Sequence, residues 1–248
     1  MSGHSKWHSI KHKKGAIDAK RGAAFTKIIK ELTVAARMGG GDPKMNARLR
    51  TAVNAAKAAN MPSDNIERAI KKGTGELEGV NYEDIVNEGY APGGVAVIVD
   101  VTTDNRNRTA SEVRHLFAKH GGSLGTSNSV AFMFERKSLV YILADGVTED
   151  DLIMQALDAG ASDVQRDGDL FEIISEPTNH NTVVEKLAEA GFKVDSSEVS
   201  MVPQTRVKVV GKDLEKAMKM IDGIEEHDDV SHVYHNLDAP EEDLEGTE

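Results

Sequence analysis

The hydrophobic positions change their period along the chain. Between residues 23 and 75 they recur every three or four residues. Phe25, Ile28, Ile29, Leu32 and Ala36 make one stripe, Met45, Leu49, Ala52, Val53 and Ala56 a second, and Ile66 with Ile70 a third. Such spacing predicts three amphipathic helices that bury their apolar faces together. Gly39-Gly40-Gly41 stops the first helix, and Asp42 and Pro43 supply a cap and a first-turn residue for the second. Pro62-Ser63 starts the third, and Gly73 closes it after Lys71 and Lys72.

From Tyr82 onward the period falls to two. Val95, Val97, Val99 and Val101 alternate with Ala96, Ile98, Asp100 and Thr102, which predicts a strand with one strongly apolar face. A helix follows, started by Thr109 or Ser111, turned inward through Val113, Leu116 and Phe117 and ended at Gly121-Gly122. Val130, Phe132 and Phe134 then alternate as a second strand. Aromatics in alternation also suit stacking on single-stranded RNA, but Val130 shares their face and a buried face is the better reading.

Residues 137–202 carry a full strand-helix-strand-strand-helix-strand cycle, the ferredoxin-like order, with a hairpin turn at Asp167-Gly168. A strand at 206–210, a helix at 214–224 and a strand at 230–234 complete the half begun at residue 76. The predicted fold class is therefore multidomain α and α+β: a helical N-terminal domain plus two ferredoxin-like α+β domains, one inserted in the other. Its parts are a basic arm (1–22), a helical domain (23–75), a discontinuous α+β domain (76–136 and 203–238), the inserted α+β domain (137–202) and an acidic, disordered tail (239–248).

Charge changes this picture most. The 248 residues have a net charge of −11, which taken whole disfavours a polyanionic partner. Resolved along the chain, residues 1–75 hold 16 Lys and Arg against 5 Asp and Glu, a net of +11, and the remainder carries −22. That asymmetry points to a polyanion-binding module joined to acidic domains. Within the arm stand Lys6, Trp7, Lys11, His12, Lys13, Lys14, Lys20 and Arg21, with too few apolar side chains to bury. On the first helix Lys20, Lys27, Lys30 and Arg37 project from the face opposite the apolar stripe and are read as a free basic face. Merely solvated helix faces would explain each helix singly, but not the concentration of cations in one segment. Base readout is harder to place, because the third helix offers Asp64 beside Asn65 and Arg68.

One loop in the acidic part stands apart. Thr103-Asp104-Asn105-Arg106-Asn107-Arg108 lies where a strand enters a helix, so Arg106, Arg108 and backbone N–H groups could meet phosphate; capping with surface solvation is the equal alternative. Strong catalytic signatures such as HExxH, a phosphate-binding P-loop or GxSxG do not occur, which favours a binder over an enzyme. His4, His8 and His12 are spaced for a metal, but the surrounding lysines disfavour a cation. His227, His232 and His235 near Asp228 and Asp229 read as surface groups, so neither cofactor nor metal is expected. With no Cys and no apolar run near 20 residues, a cytoplasmic protein that does not enter a membrane is expected.

The segments GHSKWHSIKHKKGAIDAKRG (3–22), MPSDNIERAIKKG (61–73), TDNRNRTASEVRHLFAKHGGSLG (103–125) and SVAFMF (129–134) resemble the YebC family of regulatory proteins, whose mitochondrial relatives activate translation of cytochrome c oxidase subunit I. The likeness runs from the first residues to about Asp238; GYAPGG stands where the family often has GYGPGG. The resemblance implies a helical domain followed by two α/β domains, and contacts through the arm and, less directly, through Asp104 to Arg108. It implies two functions: a transcriptional regulator on DNA, or a translation factor on ribosomal RNA and the ribosome. Without a clear reading helix or a dimer seam, RNA is slightly preferred and a monomer is expected. A metabolite-binding protein or enzyme using the paired α+β domains is the alternative from another class.

Overall fold

The computed structural model describes residues 18–239, and only the backbone of residues 18–23 and Asp167. The expectations for most of the arm and for nearly all of the acidic tail concern residues outside this range. The described chain divides into two compact units, one of residues 18–130 and 210–235 and another of residues 131–209 and 236–239.

The first unit opens with three helices, α1 (Asp18–Gly39), α2 (Ala47–Ala58) and α3 (Ser63–Thr74). Leu32, Ala35 and Ala36 of α1 meet Leu49, Ala52 and Ala56 of α2 and Ile66 and Ala69 of α3 in one buried cluster. The stripes are largely those expected, with two exceptions at helix ends. Met45 is 85% exposed rather than inward, because α2 starts later than expected. Its cap is Asn46, whose side chain accepts the N–H of Leu49 at 3.1 Å, while Asp42 instead caps the preceding turn through the N–H of Lys44 at 2.9 Å. Gly73 is not the terminator of α3. It lies inside the helix, where a Cβ would stand 2.3 Å from the Thr33 carbonyl oxygen, and Gly75 in the left-handed region ends the helix.

The same unit carries a four-stranded sheet in the order β3-β1-β2-β9, made of β1 (Glu83–Ala91), β2 (Val95–Thr103), β3 (Ser123–Leu124) and β9 (Val230–His235). Val113 and Phe117 of α4 (Arg106–Lys119) and Leu214, Ala217 and Ile221 of α7 (Gly211–Glu225) are buried with it. The second unit is a sheet in the order β5-β6-β4-β7, from β4 (Phe134–Leu143), β5 (Ala161–Asp167), β6 (Leu170–Ser175) and β7 (Val194–Pro203). Helices α5 (Glu149–Ala159) and α6 (His180–Glu189) cover Val140, Ile142, Phe171 and Ile173 on one face. Its hairpin turns at Gly168-Asp169, one residue beyond the expected pair, since Asp167 still pairs with Leu170.

Both sheets follow the ferredoxin-like arrangement, but the first does so by a route the hydrophobic pattern hides. In the second unit the strands run β4, β5, β6, β7 along the chain, and the third of them lies between the first and second. In the first unit β2, β3 and β9 fill the first, second and fourth places, and the third is filled by β1, which precedes them all. The strand expected at 206–210 does not join this sheet. Val207–Lys208 forms β8 and pairs in parallel with β10 (Leu237–Asp238). The strand expected through Val130, Phe132 and Phe134 is also replaced: residues 131–133 form a 3-10 turn that leaves Phe132 67% exposed, and Phe134 opens β4. β1 escapes the hydrophobic pattern because its sequence EDIVNEGYA is polar. Its Glu88 is buried yet accepts the N–H groups of Asn128 at 2.7 Å and Val130 at 2.8 Å, so a carboxylate sits where apolar residues are expected.

Candidate nucleic-acid interface

Of the cations expected at the interface, Lys6, Trp7, Lys11, His12, Lys13 and Lys14, with the aromatic and imidazole among them, lie outside the described residues. Lys20 and Arg21 fall in the first turn of α1. The next two are turned inward. Lys30 is 8% exposed, and its ammonium donates to Oδ1 of Asp229 at 2.5 Å and to the Asp228 carbonyl at 2.9 Å. Lys27 donates to the Glu225 carbonyl at 2.6 Å. Arg37 reaches the carbonyls of Val80 at 3.1 Å and Tyr82 at 3.3 Å. The free basic face expected of α1 is thus, over these residues, a contact within the unit. An ammonium in a buried setting must find acceptors, and the α7–β9 turn supplies them.

Asp229 is the centre of that contact. Its Oδ2 accepts from Thr109 at 2.6 Å, Arg108 at 2.7 Å and Thr103 at 3.1 Å, in addition to Lys30 on Oδ1. Burial alone would push this carboxyl up, but the bonds from Lys30, Thr109 and Arg108 outweigh burial and hold it far below the usual carboxylate range. Expected as a surface carboxylate, Asp229 is 5% exposed. No local signal marks it, because Lys30 and Asp229 are 199 residues apart in sequence.

The two arginines expected in the loop lie instead in the first turn of α4, and the structure divides them. Arg108 spans Asp229 and, at 3.0 Å, Asp104, so its donors are largely engaged inside the unit. Arg106 is exposed, and its guanidinium makes no hydrogen bond or ion pair with the described residues. Asn105 accepts the Arg108 N–H at 3.1 Å as the cap of α4.

An open cleft of about 1030 Å³ lies above this network, lined among others by Tyr82, Arg108, Ser111, His115 and His227. Burial pushes the Tyr82 phenol up, and Asp104 and Asp229 add to the effect. At its edge Glu112, His227 and Asp229 bring a ligand atom each within 4.8 Å of one another. The set does not fit a metal. His227 Nδ1 accepts the Asp229 N–H at 3.0 Å, so Nε2 holds the proton and donates to Glu112 at 3.0 Å, and both Asp229 oxygens are already held by cations. Among the described residues no helix is long and apolar enough to cross a membrane.

The comparisons agree with this architecture. Residues 5–76 match the model of the TACO1/YebC protein N-terminal domain, and residues 82–237 that of the TACO1/YebC second and third domain. Proteins named probable transcriptional regulatory protein are similar over nearly their whole length. The one from Desulforapulum autotrophicum is 55% identical over 98% of both chains, and that from Treponema denticola 56% identical over 97% of this chain and 98% of its own. The crystal structure of a conserved hypothetical protein from Aquifex aeolicus superposes with a TM-score of 0.84 at 48% identity, covering 94% of this chain and 96% of the other. With both parts of the chain matched and relatives of this identity along its length, the chain belongs to the TACO1/YebC family.

Proposed function

We propose that the protein is a non-enzymatic regulator of gene expression that binds nucleic acid through its basic N-terminal module, with structured RNA on the ribosome as its target. The observation that carries this is the split of charge, +11 in residues 1–75 against −22 in the rest. A polyanion is attracted to the first part and repelled by the second, so contact through phosphates is concentrated on the module without any base being read. Arm residues Lys6, Trp7, Lys11, His12, Lys13, Lys14, Lys20 and Arg21 are the proposed contacts, with Arg106 as a further, exposed cation. RNA is favoured because α3, the helix nearest to a reading helix in type, carries exposed Asp64 in its first turn, which opposes insertion into a DNA groove.

The names of the relatives favour a second reading, a transcriptional regulator on DNA. Sedimenting the full chain with ribosomes at physiological salt, challenged with promoter-containing duplex DNA, separates the two. Retention on ribosomes despite the duplex is expected; displacement by one specific duplex would replace translation with transcription.

A further inference from the structure

With Lys27 and Lys30 turned inward and the exposed Arg37 engaged by the Val80 and Tyr82 carbonyls, other cations of the helical domain are left for a polyanion. Arg48 is not among them. Its guanidinium pairs with Glu31 at 2.7 Å and with Asp84 at 2.9 Å, tying α2 to α1 and to β1. Arg50 and Lys57 differ in kind. Seven residues apart, they stand two turns from one another on the same side of α2, with Asn54 between them, and neither side chain makes a hydrogen bond or ion pair with the described residues. Lys57 and Asn54 are exposed and Arg50 half-exposed, next to exposed Thr51.

The sequence that carries this face is free of carboxylates. Residues 43–63 contain no Asp or Glu, although the whole sequence has 41. Lys71 on α3, by contrast, is paired with Glu67 at 2.6 Å. The opposite side of α2 is committed to the core through Leu49, Ala52 and Ala56, which fixes the direction in which Arg50 and Lys57 point.

We infer that the outward face of α2, through Arg50, Asn54 and Lys57, is a second phosphate-contacting surface that lies along the backbone of duplex RNA. The inference rests on the RNA reading above. Two guanidinium or ammonium groups two turns apart are about 10 Å from each other along the helix axis, a span that lets each meet a different phosphate. Asn54 adds a neutral amide donor between them. Lys27 and Lys30, at first sight the better candidates, hold the unit together instead.

The test uses the full chain and a fluorescently labelled 20-base-pair RNA duplex, with anisotropy measured across a salt series. Replacing Arg50 and Lys57 together by Ala should weaken binding about tenfold or more, flatten the log-log salt slope by close to 2, and leave the melting temperature unchanged. Unchanged affinity and slope in this variant, while K11E/K13E/K14E abolishes binding, would overturn the α2 surface and leave the RNA reading standing. Unchanged binding in both variants would overturn the reading itself. Tighter binding to DNA of the same sequence than to the RNA duplex would overturn the assignment to RNA.

Discussion

At the scale of single residues, the decisive group is Asp229, because one carboxylate gathers donors from α1, from the end of β2 and from α4. A buried ion held this way is costly to break. Asp229→Asn leaves Lys30 buried without its counter-charge and should lower stability by about 3–5 kcal/mol, measured by denaturant unfolding. Its pH dependence has a definite sign. The folded carboxyl titrates far below an unfolded Asp, so its stabilisation is complete above the unfolded value of about 4 and is lost as pH falls toward the folded one. Wild-type stability should therefore drop steeply below about pH 4, and D229N should show a shallower drop. An equal acid slope in both would mean that Asp229 titrates normally. None of this was legible in the sequence, where Asp229 sits beside His227 and Asp228 and resembles any surface cluster.

At the scale of elements, the apolar period located most helices well, while strands were read well only where they were apolar. β2 is legible because Val95, Val97, Val99 and Val101 all face one side and are buried. β1 is not, since Glu88 is satisfied by backbone N–H groups from the 128–130 loop rather than by solvent. Alternation misled at Phe132, where a 3-10 turn mimics a strand's period over too few residues to betray itself. Glycine carries a similar ambiguity. Gly73 follows two lysines as a helix terminator would, yet its role is the close approach of α3 to Thr33 of α1. At an ordinary exposed helical site Gly→Ala stabilises by up to about 1 kcal/mol. Here G73A should instead destabilise by about 1–3 kcal/mol as the two helices are forced apart, and a raised melting temperature would refute the packing account.

At the scale of the whole molecule, the fold class was legible, but the order in which strands enter the first sheet was not. The ferredoxin-like arrangement survives because β1 occupies the place that a later strand was expected to fill, and local periodicity carries no information about which strand takes which place. The division of cations was half legible. Charge counting located the basic module, whereas only packing separates Lys27, Lys30, Arg48 and Arg108, which hold the first unit together, from Arg50, Lys57 and Arg106, which face outward.

The central claim, that the basic N-terminal module binds nucleic acid by charge, is tested most directly by the salt dependence of RNA binding in the full chain and in its K11E/K13E/K14E variant. If Lys6, Lys11, Lys13, Lys14, Lys20 and Arg21 all meet phosphates, the wild-type log-log slope should approach about −4 to −5 before the α2 contacts are added. The variant should lose binding at physiological salt with its melting temperature nearly unchanged. A salt-insensitive affinity, or a variant that binds as tightly as the wild type, would contradict the account.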